Sequence, residues 1–388
     1  MSAIAGWVCY ERGRPDTELL LAMSRAMRAR GRDQRGAYVR EWAWLAHNRS
    51  VADGGAPWFR QPLTVCRDRS RYTVVLDGRV WARDAGEGVR TDVMGESDAA
   101  LVLDHYLAYG TSFAAKLSGR FAVAIMDERW REMILATDAE GSRPLFYAKR
   151  GGEVMFASEI KGILRGFPEG CAVNGERVRE YLNAPIGEIE GSALYRGIES
   201  LPPSTCAVIS RFGVTTFAYD TERKLVKETE QTPLSVNFVC LDESALRRDL
   251  TECLFAFDYP AFDFLMPSML RWARQRKESF FAMEDDMMRV DARYAKARAD
   301  RIGQSRGKVI TPVVPRTSAY REKGLRKMEK VMSRLLEETD KELLCRMYGK
   351  DWRQALEAEK NVAARIRMQG ILYQSDLWAK HYPLIPMT

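Results

Sequence analysis

The chain is poor in residues that build covalent or metal-held frameworks. Its 388 residues include seven cysteines, scattered and odd in number, with no Cys-x-x-Cys pair, and only three histidines. That pattern argues against a disulfide scaffold and a structural zinc site, and predicts reduced thiols in a cytoplasmic setting. No run of eighteen apolar residues occurs, so no segment has the hydropathy of a membrane-spanning helix. The N-terminus lacks a basic stretch followed by an apolar core, and does not read as a secretory leader. No Gly-x-x-x-x-Gly-Lys-[Ser/Thr] loop is present to cradle a nucleotide phosphate.

What remains is an ordinary globular composition, 46% hydrophobic and 29% charged, of a length that suits about two domains. The formal net charge is +7. Arginines cluster at Arg28, Arg30, Arg32 and Arg35, and again across 298–306. Such patches attract polyanions, but no recognition motif accompanies them, so nucleic acid is not the expected partner, and neither is a membrane.

Residues 1–160 alternate short strands with two helices. Asp16-Thr17 predicts a helix running to Arg30, with Gly31 as its stop. Ser97 or Asp98 predicts the start of a second helix that ends at Gly110. Apolar runs at 121–125 and 133–136 flank Asp127-Glu128-Arg129 and read as a hairpin; 146–147 and 154–156 flank a second turn, Lys149-Arg150-Gly151-Gly152. A strand pair at 205–208 and 214–218 closes this part, and a polar connector follows at 221–233. Beyond one strand at 236–241, the spacing of apolar residues predicts helices over 246–257, 262–276, 287–302, 319–347 and 352–378.

Met1-Ser2-Ala3-Ile4-Ala5-Gly6 resembles the Met-Cys-Gly-Ile-Ala-Gly start of the asparagine synthetase (glutamine-hydrolysing) family. Further segments match that family in order: Leu45-Ala46-His47-Asn48-Arg49-Ser50, Val75-Leu76-Asp77-Gly78-Arg79-Val80, Gly95-Glu96-Ser97-Asp98, Leu117-Ser118-Gly119-Arg120-Phe121-Ala122, Thr137-Asp138 and Phe156-Ala157-Ser158-Glu159-Ile160-Lys161. The resemblance implies an α+β fold. An N-terminal nucleophile hydrolase-like αββα sandwich, a class II glutamine amidotransferase domain over 1–219, is followed by a mostly helical, truncated synthetase-like domain over 235–388.

The resemblance also shows what this chain has lost. The family's second domain carries a Ser-Gly-Gly-x-Asp-Ser loop whose backbone N–H groups close around pyrophosphate, and no Ser-Gly-Gly occurs here. Asp258-Tyr259-Pro260-Ala261-Phe262-Asp263, Glu284-Asp285-Asp286 and Gln374-Ser375-Asp376-Leu377-Trp378 are echoes of that domain's other segments. The acidic triplet could take a cation through its oxygens, but an acidic helix start explains it more simply, and no metal or cofactor is expected.

In the first domain the family's nucleophilic Cys is replaced by Ser2. An N-terminal hydroxyl can attack an amide when its own α-amine takes the proton; the plainer account is that Ser2 fills the space of a lost Cys. The family's oxyanion donor, an Asn, is replaced by Asp77, whose ionised oxygens only accept, beside a retained Gly78. Bare negative charge there would repel a tetrahedral intermediate. Arg49 and Asp98 match the family's ligands for the glutamine α-carboxylate and α-ammonium; they could equally pair with each other.

The leading expectation is a pseudoenzyme: a binding, scaffolding or regulatory subunit of an amidotransferase or peptide-modifying synthetase system, with a protein partner, self-association and an amino-acid ligand. The alternatives are a Ser-type N-terminal amidohydrolase and an ATP-dependent amide-bond-forming ligase. The stripe Leu325, Met328, Val331, Met332, Leu335, Leu336, extended by Leu372, Leu377 and Trp378, is the expected contact surface.

Overall fold

The computed structural model describes residues 2–11, 16–50, 60–83, 97–183, 191–219, 243–260, 319–382 and 384–385. The strand expected at 236–241, the helices at 262–276 and 287–302, the triplet Glu284-Asp285-Asp286 and the arginines of 298–306 lie outside the described residues. The chain divides into two compact units, Met1–Pro168 with Gly197–Lys227, and Glu169–Arg196 with Glu228–Thr388.

The first unit is two six-stranded antiparallel sheets packed face to face. One sheet takes β1 (Ser2–Cys9), β2 (Gln34–Val39), β3 (Ala43–Arg49), β8 (Phe146–Arg150), β9 (Glu153–Ala157) and β11 (Ile198–Ser200), in the order β11-β8-β9-β1-β3-β2. The other takes β4 (Leu63–Arg67), β5 (Ser70–Ala82), β6 (Leu117–Asp127), β7 (Glu132–Thr137), β12 (Thr205–Ser210) and β13 (Gly213–Ala218), in the order β13-β12-β7-β6-β5-β4. Helices α1 (Thr17–Ala26) and α3 (Ile160–Leu164) pack on the first sheet, and α2 (Asp98–Tyr109) packs on the second, giving the expected αββα layering.

The side-chain period of two explains why both strand faces read as apolar. Along β5, Val75 enters the core between the sheets with Ile4, Leu45, Ala124 and Leu135, while Val74 and Leu76 face Val102, Leu103 and Phe113. With both faces buried, the sequence shows near-continuous apolar runs instead of clean alternation. Ser97 caps α2 by accepting from the Ala100 N–H, and Gly110 ends it, as expected. Helix α1 stops at Ala26, four residues earlier than expected, and Asp16 caps its start. Gly31 does not terminate it: a Cβ there would stand 2.4 Å from the Arg49 backbone nitrogen, so glycine is needed for close approach to β3.

The second unit combines α4 (Gly175–Asn183), α5 (Glu243–Phe257), α6 (Ala319–Glu337), α7 (Lys341–Tyr348), α8 (Trp352–Ala358) and α9 (Val362–His381) with a short parallel pair, β10 (Cys171–Ala172) and β14 (Leu384–Ile385). The helix expected over 319–347 is two helices, because Asp340 accepts from the Glu342 and Leu343 N–H groups and so starts α7. The helix expected over 352–378 is likewise two, with the Asn361 side chain accepting from the Ala364 N–H at 3.1 Å near the start of α9. The expected contact stripe is corrected: Leu325, Met328, Val331, Met332, Leu335 and Leu336 are all buried, as are Leu372 and Trp378, and α6 packs on α9.

The C-terminal echoes have structural work instead. Trp378 Nε1 donates to Tyr195 Oη at 2.8 Å, Tyr195 Oη donates to the Asp258 carbonyl, and Tyr382 Oη donates to Asp258 Oδ1 at 2.8 Å. Gln374 Nε2 donates to the Leu250 carbonyl at 2.9 Å, and Asp376 accepts from the Asp340 N–H and from Lys380. These side chains thus tie α5, α7 and α9 together through buried and part-buried hydrogen bonds.

Candidate functional site

Strand pairing brings the candidate residues to one end of the sandwich. Ser2 stands opposite Arg49 in the β1–β3 register, and Ile4 opposite His47. Because Ile4 and Leu45 point between the sheets, the period of two directs Ser2, His47 and Arg49 to the same inner face. Asp77 shares the inner face of β5 with Val75. The β1 main chain is pinned by Ser158, whose Oγ accepts from the Ile4 N–H at 2.9 Å. Helix α1 is pinned by Asn48, which donates from Nδ2 to the Ser24 carbonyl at 2.7 Å and accepts from Ser24 Oγ at 2.6 Å. Asp138 fixes the loop after β7, accepting from the N–H groups of Phe121 and Glu140, each at 2.9 Å.

The centre of the site is a buried ion pair. Arg30 Nη2 lies 3.2 Å from Asp77 Oδ2, and the two side chains are 1% and 0% exposed. Arg30 Nε donates to the Ser2 carbonyl at 3.2 Å, and Asp77 Oδ1 accepts the Ser2 N–H at 3.2 Å. Ser2 is therefore held at both backbone polar groups. The expectation that Asp77 presents bare negative charge is corrected: Arg30 neutralises it. What the site lacks at this position is a donor, since a carboxylate has none. Gly78 follows with φ 123°, and a Cβ there would meet the Arg120 carbonyl oxygen at 1.9 Å, so only glycine fits.

His47 is the residue that motif reading quoted without assigning a role. Burial pushes its imidazole down to about 4, against the opposing pull of the Asp77 carboxylate, so it is neutral at pH 7. Its ring hydrogen-bonds to the Leu76 backbone, and its buried Nε2 has no partner. Asp98 begins α2, with its carboxylate 3.9 Å from Arg79 Nε across the β5 edge. Arg79 thus faces Asp98 with a cation, a pairing that the motifs do not predict. Arg49 is buried beside Ser2 on the inner face. The structure therefore joins Ser2 and Asp77 directly, puts Arg49 next in register, and sets Asp98 against Arg79.

The profile of the glutamine amidotransferase domain family matches residues 1–220. The chain belongs to that family. Among curated proteins, it is 25% identical over 230 residues to asparagine synthetase [glutamine-hydrolyzing] 3 of Bacillus subtilis, covering 56% of this chain and 36% of that protein. It is 30% identical over 164 residues to asparagine synthetase B of Escherichia coli, covering 39% and 28%. The chain spans about a third of the length of the curated relatives it matches. A solved glutamine phosphoribosylpyrophosphate amidotransferase from B. subtilis aligns over 56% of this chain and 49% of that one, at 15% identity and TM-score 0.39. No helix among the described residues is long and apolar enough to cross a membrane.

Proposed function

We propose that this asparagine synthetase-like amidotransferase domain keeps an amino-acid-binding frame but hydrolyses glutamine at or near background. On this reading the chain acts as a binding, scaffolding or regulatory subunit of an amidotransferase or peptide-modifying synthetase system, through a protein partner and a second copy of itself. The observation that carries it is the Arg30–Asp77 pair clamped on Ser2. It occupies the oxyanion-donor position with an acceptor, and losing one such donor costs about 10²–10³ in rate. The nucleophile position offers a hydroxyl where a thiolate would react more readily.

The test is an ammonia-release assay with glutamine on the wild-type chain, Ser2→Cys, Asp77→Asn and the double variant. The expected result is background activity in the wild type and both single variants, with measurable turnover in the double. Wild-type turnover comparable with an intact amidotransferase domain would sink the proposal. Calorimetry with glutamine on the wild type and on Arg49→Met reports whether the amino-acid frame survives.

A Ser-type N-terminal amidohydrolase is the second reading. One contact favours it: Asp77 accepts from the Ser2 nitrogen, where a free α-amine would need an oriented partner. Intact mass separates the two, because this chemistry requires Met1 removed and Ser2 exposed.

A further inference from the structure

We propose that the hairpin end of the second sheet, remote from Ser2, is a docking surface for an acidic polypeptide carrying apolar side chains. Its purpose rests on the partner-subunit reading above, while its geometry does not. Three turns meet there. Arg67 pairs with Ser70 around the β4–β5 turn, Asp127 with Glu132 around the β6–β7 turn, and Ser210 with Gly213 around the β12–β13 turn. The pairs Tyr72 with Asp127 and Ile209 with Met133 put all three at the same sheet end. Along β5 the turn at Ser70 is about 24 Å from Asp77, at ~3.4 Å per residue.

The end is cationic and aromatic. Arg67, Arg69, Arg71, Arg129, Arg131 and Arg211 are all exposed, and among the described residues none of the six makes an ion pair. Four acidic residues share this end: Asp127 is buried, Glu128 is engaged by Arg40 and Tyr38, and Asp68 and Glu132 leave the six arginines in excess. Trp130 is 67% exposed and Phe212 86%, the two most exposed large apolar side chains among the described residues. Arg129 stands 5.3 Å from the Trp130 ring centre, and Arg211 4.7 Å from that of Phe212. Two of the arginines hold left-handed backbone, Arg69 at φ 63° and Arg131 at φ 55°, where glycine or asparagine is the favoured choice. The turns thus present arginine where backbone geometry disfavours it.

Tryptophan and arginine together are the composition of protein-interface anchors, and a planar guanidinium matches a carboxylate by two parallel bonds. Ring faces already covered by guanidinium groups suit a lipid layer poorly, since insertion would carry the charge with the ring. They also leave only one face of each ring for a base to stack on. The β6–β7 and β12–β13 turns lie two strands apart, ~10 Å, which is the reach of three residues of extended chain. A matching peptide therefore runs in polyproline II conformation, where three residues make one turn of ~9 Å and positions i and i+3 share a face, with apolar residues at every third position and carboxylates between them.

The test titrates the full chain with a synthetic glutamate-rich peptide bearing leucine at every third position, and in parallel with oligothymidylate and with phosphatidylserine vesicles. The peptide is expected to bind, and to weaken about tenfold or more in Trp130→Ala/Phe212→Ala and in Arg129→Glu/Arg211→Glu. All four positions are exposed, so the fold should be unaffected. Tighter binding of the oligonucleotide or the vesicles through the same residues would overturn the assignment in favour of that partner. No peptide binding, or binding that ignores both double variants, would overturn the surface itself. A chain that binds the peptide through these residues and also hydrolyses glutamine would keep the surface and remove the non-catalytic reading.

Discussion

The two ends of the paired sheets handle arginine in opposite ways. At the Ser2 end, Arg30 is buried, bonded to Asp77 and turned on the Ser2 carbonyl. At the hairpin end, six arginines stand in solvent without a carboxylate partner among the described residues. Burying a guanidinium is tolerated only where a counter-charge and further hydrogen bonds replace the lost water. An exposed one needs no such partner and stays available to another molecule. The same residue type thus reads as architecture at one end and as surface chemistry at the other, and the difference is visible only after folding.

The sharpest way to break this contrast is to strip the buried pair of one partner. Arg30→Ala leaves Asp77 buried without its cation and is expected to destabilise the first unit by about 3–5 kcal/mol. Arg30→Met with Asp77→Leu removes both charges and should recover most of that loss. Urea unfolding followed by near-UV signal measures both. A loss under about 1 kcal/mol for Arg30→Ala would mean that water reaches the pair and that the end is not sealed.

His47 adds a pH dependence to the same end. Its folded value, about 4, lies below the ordinary histidine range, so the unfolded chain takes up the proton first. The stabilising effect is fully present above pH ~6.5 and is lost as pH falls toward 4, amounting to about 3 kcal/mol at ~1.4 kcal/mol per unit. His47→Gln is expected to flatten that part of the stability curve. An unchanged slope between pH 4 and 6.5 in the variant would assign the acid sensitivity to other groups.

How much of this was legible in the sequence differs between the units. The αββα layering was legible through the resemblance of the ordered motifs to a known family, while turn signals such as Lys149-Arg150-Gly151-Gly152 marked only the hairpins, which are local. The Arg30–Asp77 pair was not legible, because it joins residues far apart in the chain through packing of one sheet on the other. A signal did exist: Arg30 directly precedes Gly31, whose missing side chain lets the turn lie on β3. His47 stood inside a quoted segment, but its loss of charge comes from burial, which spacing does not report. In the second unit apolar periodicity identified helices and missed their ends, because capping side chains such as Asp340 override a continuous apolar pattern.

A smaller perturbation tests the candidate ligand at the edge of the site. Ser97 accepts from the Ala100 N–H at 3.3 Å and sets the first turn of α2, which carries Asp98. Ser97→Ala is expected to cost about 1 kcal/mol through loss of the cap. If Asp98 helps to hold an amino-acid ligand, the same change should weaken glutamine binding in calorimetry. Ser97→Asp, which restores a capping acceptor, should return stability and binding together.

The smallest effect belongs to the hairpin end and has the opposite sign. Arg69 and Arg131 adopt left-handed backbone at φ 63° and φ 55°. A side-chain-bearing residue there costs about 1–2 kcal/mol, while glycine costs about 0.5–1 kcal/mol of extra chain entropy on folding. Arg69→Gly should therefore raise stability by about 0.5 kcal/mol, while at Arg131, whose guanidinium lies 5.9 Å from the Trp42 ring centre, loss of that contact offsets the gain. At the Ser2 end every change to the arginine is expected to weaken the fold; here removing Arg69 should strengthen it. A stabilised Arg69→Gly that binds the acidic peptide less well would show that this arginine acts on a partner and not on the fold. A destabilised Arg69→Gly would mean that this side chain, like that of Arg131 over Trp42, packs against the fold and that the contrast between the two ends is shallower than drawn.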